Sequence, residues 1–201
     1  ISRSNSPPVP SANMIDLLEI DGFLDPATHA EVLAEVRRAE GAPATVLSGA
    51  VHSAVRRTTR IDVSPETRAR VRGLRMARKA EIEAHFGVAL TECEDPQFLR
   101  YEAGDFFVPH QDGNTPMVWD DSRFRRISAV IFLSTRSEAE APDTYGGGEL
   151  VFHGHYAGPQ ERVVAGAAPG SLVTFRAETT HEVTTITHGV RYTIASWFRG
   201  E

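Results

Sequence analysis

The chain of 201 residues contains a single cysteine, Cys93, and a single lysine, Lys79. One thiol excludes an intrachain disulfide and any zinc or iron-sulfur site built on several thiolates, so a metal centre here must draw on nitrogen and oxygen. No apolar run approaches the ~20 residues of a membrane-spanning helix, and no membrane partner is expected. The opening ISRSNSPPVP starts at Ile1 rather than Met. It lacks a basic segment followed by an apolar one, so it is not expected to be a secretory signal peptide, and a remnant of cloning and a remnant of truncation are the two readings of such a start. Positive charge is in deficit: 21 Lys and Arg against 27 Asp and Glu leave a formal charge of -6, which argues against nucleic acid as the main partner. An isolated Cys93 fits a reducing, cytoplasmic setting in which Fe(II) would persist.

With 41% hydrophobic and 24% charged residues, the composition is that of a folded protein, and the length suits one domain. Residues 1–13, rich in Pro and Ser, are expected to form a flexible arm. Residues 14–201 are expected to form a single domain, with helix and strand support over 14–89 and a β core over 90–199. In the support region MIDLLEID reads as a strand. Asp25 followed by Pro26 gives an N-cap and a first-turn proline for a helix reaching about Ala39 that buries Ala30, Leu33 and Val36. AVRRTTRIDV reads as one strand, and Ser64-Pro65 starts a longer helix ending at Gly87 as a glycine C-cap. Arg68, Arg70, Arg72, Arg75 and Arg78 recur at helical spacing and read as a solvated helix face.

From Leu90 the pattern changes to short β-type runs separated by Gly, Pro, Asn and Asp. FLRYE, FFVPHQD, RISAVIFLS, GGELVFH, ERVVA, SLVTFRA, HEVTTIT and VRYTIASWF are eight candidate strands, which suits a sandwich or jelly roll with the helices packed outside. The fold class is therefore α+β, mainly β. The link from about Ser134 to Gly146 is acidic and expected to be exposed.

His110 and Asp112 lie two residues apart at the end of FFVPHQD. Residues i and i+2 of a strand share a face, so an imidazole and a carboxylate would enter one cavity side by side, as two adjacent corners of an octahedral metal require. Alone, the pair is weak evidence and reads first as a chance spacing or a simple hydrogen-bonded surface pair. His181, at the start of HEVTTIT, adds a second imidazole, and two His with one carboxylate and open positions form the facial triad of non-haem Fe(II) oxygenases. Arg191 follows ten residues later. A buried guanidinium needs a partner, and a dicarboxylate co-substrate would supply one, with Thr193 on the same face donating a hydroxyl. The alternative is a surface arginine on an edge strand. In a β-hairpin, a three-residue loop Thr187 to Gly189 would put His181 and Arg191 on one face, with Gly189 in the left-handed conformation, so a three-residue or bulged turn is predicted.

The stretch from Phe98 to Trp197 resembles the prolyl 4-hydroxylase-like branch, bacterial hydroxylases included, of the Fe(II)/2-oxoglutarate-dependent dioxygenases. The resemblance runs in order through FLRYEAGDFFVPHQD, RISAVIFLS, YGGGELVF, AAPGSLVTF and HEVTTITHGVRYTIASWF. It implies a double-stranded β-helix in which His110, Asp112 and His181 hold Fe(II) and Arg191 pairs with the distal carboxylate of 2-oxoglutarate. Tyr101 matches a family tyrosine bordering the 2-oxoglutarate or substrate pocket. Phe132 stands where relatives often carry a second tyrosine, so that hydroxyl is missing here. Gly146, Gly147, Gly148 and Glu149 match the family's glycine pair and acid.

The implied reaction hydroxylates an unactivated C–H bond of a peptidyl (for instance prolyl) residue, a free amino acid or a small natural product. It consumes O2 and 2-oxoglutarate and releases succinate and CO2, with ascorbate a candidate reductant. The competing reading is a cupin-like jelly-roll metal enzyme that does not use 2-oxoglutarate. GNTPMVWDDSRFRR reads as a lid carrying Trp119, and Arg56, Arg57, Thr58 and Arg60 as a further wall of the mouth, in which Arg57 and Arg60 would favour an anionic substrate. His153 and His155 read as rim residues, His188 as a turn residue, and His29, His52 and His85 as structural or surface residues.

Overall fold

A computed structural model describes residues 15–44, 53–115, 119–154 and 162–201. The expected arm, His52 and His155 lie outside them. The support region consists of β1 (Leu17–Ile20), α1 (Pro26–Arg38), β2 (Gly41–Pro43), β3 (Arg56–Arg57), β4 (Thr59–Ile61), α2 (Pro65–Met76) and α3 (Lys79–Phe86). After it come β5 (Gln97–Glu102), β6 (Phe106–His110), a short 3-10 helix (Asp121–Phe124), β7 (Arg125–Phe132), β8 (Thr135–Arg136) and β9 (Thr144–Gly147). The chain closes with β10 (Leu150–His153), β11 (Arg162–Val164), β12 (Leu172–Arg176), β13 (His181–Val183) and β14 (Ile186–Arg199). No described helix is long and apolar enough to cross a membrane.

Local chemistry sets the helices. Asp25 caps α1 by accepting from the Ala27 and Thr28 amides at 3.0 Å, and Pro26 enters the first turn without losing a hydrogen bond. The residues α1 buries are Thr28, Val32 and Val36; Ala30, expected inside, is exposed. Ser64 caps α2 through the Thr67 amide, and Gly87 closes α3 in the left-handed conformation at φ 62°. The single long helix expected between them is two, separated at Ala77 and Arg78. An unbroken helix over 65–86 would run about 33 Å, and the break lets Val71 of α2 and Ile82 and Phe86 of α3 reach one core. Arg75, read with its neighbours as solvated, is fully buried. It sits four residues after Val71 and therefore on the same helix face. Its guanidinium donates to the Ile194 carbonyl at 2.8 Å and to the Ser196 hydroxyl; burial lowers its pKa to about 10, which leaves it charged at neutral pH.

All eight candidate strands form, together with β8 and β9 inside the acidic link, whose residues Glu138 to Asp143 are exposed as expected. They build two sheets. The larger runs β1-β12-β7-β14-β5-β4-β2, with β9 joining the early part of β14, and the smaller runs β11-β10-β13-β6-β3. The strand expected over AVRRTTRIDV is split between the two: β3 pairs with β6, and β4 with β5.

Period-two alternation sorts the large sheet's side chains. Phe98, Ile127, Ala129, Ile131, Ile194 and Phe198 face the helices in one core. Leu99, Tyr101, Val130, Thr193, Ala195 and Trp197 face a cavity shared with the small sheet. Ile194 is fully buried at the centre of β14. Ile194→Ala is expected to destabilise the fold by about 2–5 kcal/mol in urea unfolding; a loss well under 1 kcal/mol would contradict the helix-on-sheet core.

Candidate metal centre

His110 and His181 come from adjacent strands. In the antiparallel β6–β13 pair they are direct cross-strand partners, and the next pairing, Val183 with Phe107, shows a register shift. Pro109, which cannot donate to a ladder, falls within that irregularity, the place in a sheet where proline is tolerated. Each imidazole is oriented by the same device: Nδ1 donates to the carbonyl two residues back, His110 to Val108 at 2.8 Å and His181 to Thr179 at 2.9 Å. Since a carbonyl can only accept, the proton sits on Nδ1 and Nε2 keeps its lone pair.

Both Nε2 atoms face Asp112, His110 at 3.6 Å from Oδ1 and His181 at 3.5 Å from Oδ2. The ligand atoms of the three residues lie within 4.8 Å of one another, a donor set of two imidazoles and one carboxylate gathered at one point. Burial would raise the Asp112 carboxyl, but His181, His110 and the Ser128 hydroxyl together hold it well below the usual carboxylate range. Burial, joined by His110, pushes His181 down to about 4, so a neutral imidazole faces an ionised carboxylate at neutral pH.

The cavity holding these residues measures about 490 Å³ and draws its walls from both sheets. Arg191 lines it, 1% exposed. Its Nη1 lies 3.3 Å from Thr193 Oγ1, and its guanidinium carbon lies 5.2 Å from the Tyr101 ring centre and 5.4 Å from that of Phe132. Its Nε has no hydrogen-bond partner, and among the described residues no acid pairs with it. A buried cation without a counter-charge, in the same cavity as the His–Asp–His set, fits a carboxylate ligand that also reaches a metal. Room for Arg191 comes from Gly148: a Cβ there would collide with Ile186 Cδ1 and come within 3.0 Å of Arg191 Cδ, and its φ of 58° disfavours any other residue.

Thr193 and Tyr101 line the cavity as expected. The route that brings Arg191 there differs from the predicted hairpin. The chain leaves the small sheet after Val183, and β14 belongs to the large sheet, running through Thr187, His188 and Gly189 with a bulge against β9. Gly189 does adopt φ 68°, inside a strand and not in a loop. His181 and Arg191 thus face each other from opposite sheets, an arrangement that a one-sheet parity rule does not cover.

The expected substrate wall is met in part. Arg56 lines the cavity, its guanidinium 4.9 Å from the Phe107 ring centre, whereas Arg57 and Arg60 are exposed and, like the buried Thr58, off the lining; in a strand a shift of one reverses the face. Trp119 is 83% exposed and also off the lining. Sequence reading missed Arg125 and Trp197, which line the cavity as a stacked pair at 3.7 Å, and Glu94, which holds Arg125 at 2.9 and 2.7 Å. It also missed Ser128, whose one signal was a lone hydroxyl inside RISAVIF. His153 pairs with Glu182 at 3.1 Å, His29 bonds the Leu133 carbonyl and His85 bonds Asp16.

The sequence profile of the 2OG-Fe(II) oxygenase superfamily matches residues 96–199. A PKHD-type hydroxylase of Burkholderia ambifaria is 38% identical over 104 residues, 51% of this chain and 40% of that protein. The aligned part thus spans well under half of that relative's length. A PKHD-type hydroxylase of Bordetella pertussis is 30% identical over 186 residues, 91% of this chain and 78% of that one. Among solved structures, a Pseudomonas putida prolyl-4-hydroxylase superposes with a TM-score of 0.66 at 23% identity, covering 93% of this chain and 94% of the other; at that identity the likeness is one of fold. Asp112→Ala should weaken divalent-metal binding on the order of a hundredfold or more in titration calorimetry, and affinity equal to that of the unaltered chain would contradict the ligand set.

Proposed function

Because the chain belongs to the 2OG-Fe(II) oxygenase superfamily, we propose that it is an Fe(II)- and 2-oxoglutarate-dependent hydroxylase. Its substrate would be a peptidyl residue, prolyl among them, a free amino acid or a small natural product. The observation that carries the co-substrate assignment is Arg191, a buried cation with no acid partner among the described residues, in the cavity that gathers His110, Asp112 and His181. A cupin-like enzyme without 2-oxoglutarate would have no use for that charge, and the family profile that matches is that of the 2OG-Fe(II) oxygenases.

His110, Asp112 and His181 would hold the metal. Bound Fe(II) would supply O2 activation: one oxygen atom goes to a substrate C–H as hydroxyl and the other into succinate as 2-oxoglutarate loses CO2. The chain's own work is binding and orientation. Arg191 Nη1 and Nη2 would pair with the distal carboxylate, and Thr193 and Tyr101 would border it. The aromatic rings of Tyr101 and Phe132 beside the guanidinium exclude water, which strengthens the pairing. A reducing cytoplasm, with ascorbate as a candidate reductant, is the setting this reading favours.

Supplied with Fe(II), O2 and 2-oxoglutarate, the protein is expected to release succinate. Arg191→Met should raise the Kd for 2-oxoglutarate about a hundredfold, the loss of one buried charge pair, with metal affinity unchanged. No succinate across a broad substrate panel, together with no 2-oxoglutarate binding, would overturn the assignment.

A further inference from the structure

Strand β7 contributes no member of the His–Asp–His set, yet it holds the acid from two sides. Ser128 Oγ lies 2.7 Å from Asp112 Oδ2, and Arg125 Nη1 donates to the Asp112 carbonyl at 3.2 Å. The Asp112 amide donates in turn to the Ala177 carbonyl at 2.9 Å. The backbone of Asp112 is therefore fixed at both its N–H and its C=O, and the remaining freedom is rotation of the carboxylate. An ionised carboxylate can only accept, so the hydroxyl must donate.

Ser128 is 1% exposed and sits on the inward face of β7 in series with Val130 and Phe132. A hydroxyl at that place in an apolar series needs a partner, and Asp112 provides it. From this geometry we infer that Ser128 is a positioning residue for the acid ligand. Its hydroxyl occupies Oδ2 and sets the carboxylate plane, so that Oδ1 is presented with its lone pairs uncommitted. Without it the carboxylate is free to rotate between the two imidazoles that flank it at 3.6 and 3.5 Å. Removing an oriented partner of this kind weakens metal binding by about ten- to a hundredfold. The inference rests on the metal assignment above and concerns affinity and geometry at the metal, not the choice of substrate.

The test uses Co(II), a redox-stable stand-in for Fe(II), on the full chain. Ser128→Ala removes one buried oxygen and introduces no bulk. It is expected to raise the Co(II) Kd about ten- to a hundredfold, shift the visible absorption bands of the bound Co(II), and leave the thermal unfolding midpoint of the metal-free protein nearly unchanged. Ser128→Thr, which keeps the hydroxyl, is expected to restore the original bands and most of the affinity. A purely structural role for Ser128 would move the unfolding midpoint and leave the Co(II) spectrum alone. Normal Co(II) affinity and spectrum in Ser128→Ala would overturn the positioning role while leaving the metal site standing. Absence of Co(II) binding by the unaltered chain would overturn the metal assignment itself, and this inference with it.

Discussion

The pairing of β6 with β13 is the constraint on which the site depends. It puts His110 opposite His181 across one ladder, so two imidazoles from positions 71 residues apart in sequence become neighbours through backbone hydrogen bonds alone. The irregularity that follows, around Pro109, tolerates a residue without an N–H inside the small sheet. The Val108 carbonyl there accepts from His110 Nδ1. Slipping this pair by one residue would turn an imidazole out of the cavity and dissolve the donor set, because strand faces alternate with period two.

Charge is arranged around that pairing as two separate problems. At one end, imidazoles and a carboxylate compensate one another: Asp112 stays ionised despite burial because His181 and His110 face it, and His181 stays neutral. At the other, Arg191 has rings on two sides and, among the described residues, no acid beside it. A fold tolerates such an uncompensated charge when a ligand completes it, and a carboxylate ligand is the chemistry that does so. Arg75 shows the contrast. It is equally buried but embedded in the helix-facing core and bonded to a carbonyl and a hydroxyl of β14. Burial of an arginine is thus not by itself a sign of a site; the cavity in front of Arg191 is.

The sequence displayed what repeats locally and hid what depends on tertiary placement. The strands from Gln97 onward, the Asp25 and Ser64 caps and the Gly87 stop follow from alternation and cap chemistry, which act within a few residues. The His110, Asp112, His181 and Arg191 constellation was legible through motif order. That Arg191 arrives from the opposite sheet was not, because the crossing after Val183 is a tertiary event. Arg75 and the break at Ala77 were misread for a similar reason: an arginine-rich helix looks solvated until the sheet beneath it supplies acceptors. Of the run Arg56, Arg57, Thr58 and Arg60 expected at the mouth, Arg56 lines the wall and the other three do not, since alternation along a strand turns adjacent residues to opposite faces.

The corrected wall also changes what the cavity recognises. Arg125 is neutralised by two contacts to Glu94 and stacked on Trp197, so it acts as a rigid panel and not as an anion receptor. Arg56 lies over the Phe107 ring, and Arg57 and Arg60, on which an anionic substrate was expected to depend, point elsewhere. Among the described residues, full burial on the cavity wall without an acid partner belongs to Arg191, and a carboxylate ligand would satisfy it. Beside it the lining includes the polar Gln97 and Gln111 and the apolar Leu99, Ala195 and Trp197, with Arg56 on the same wall. Apolar walls with a few placed polar groups combine selection by shape with selection by hydrogen bonding, the usual division of labour in a small-molecule cavity.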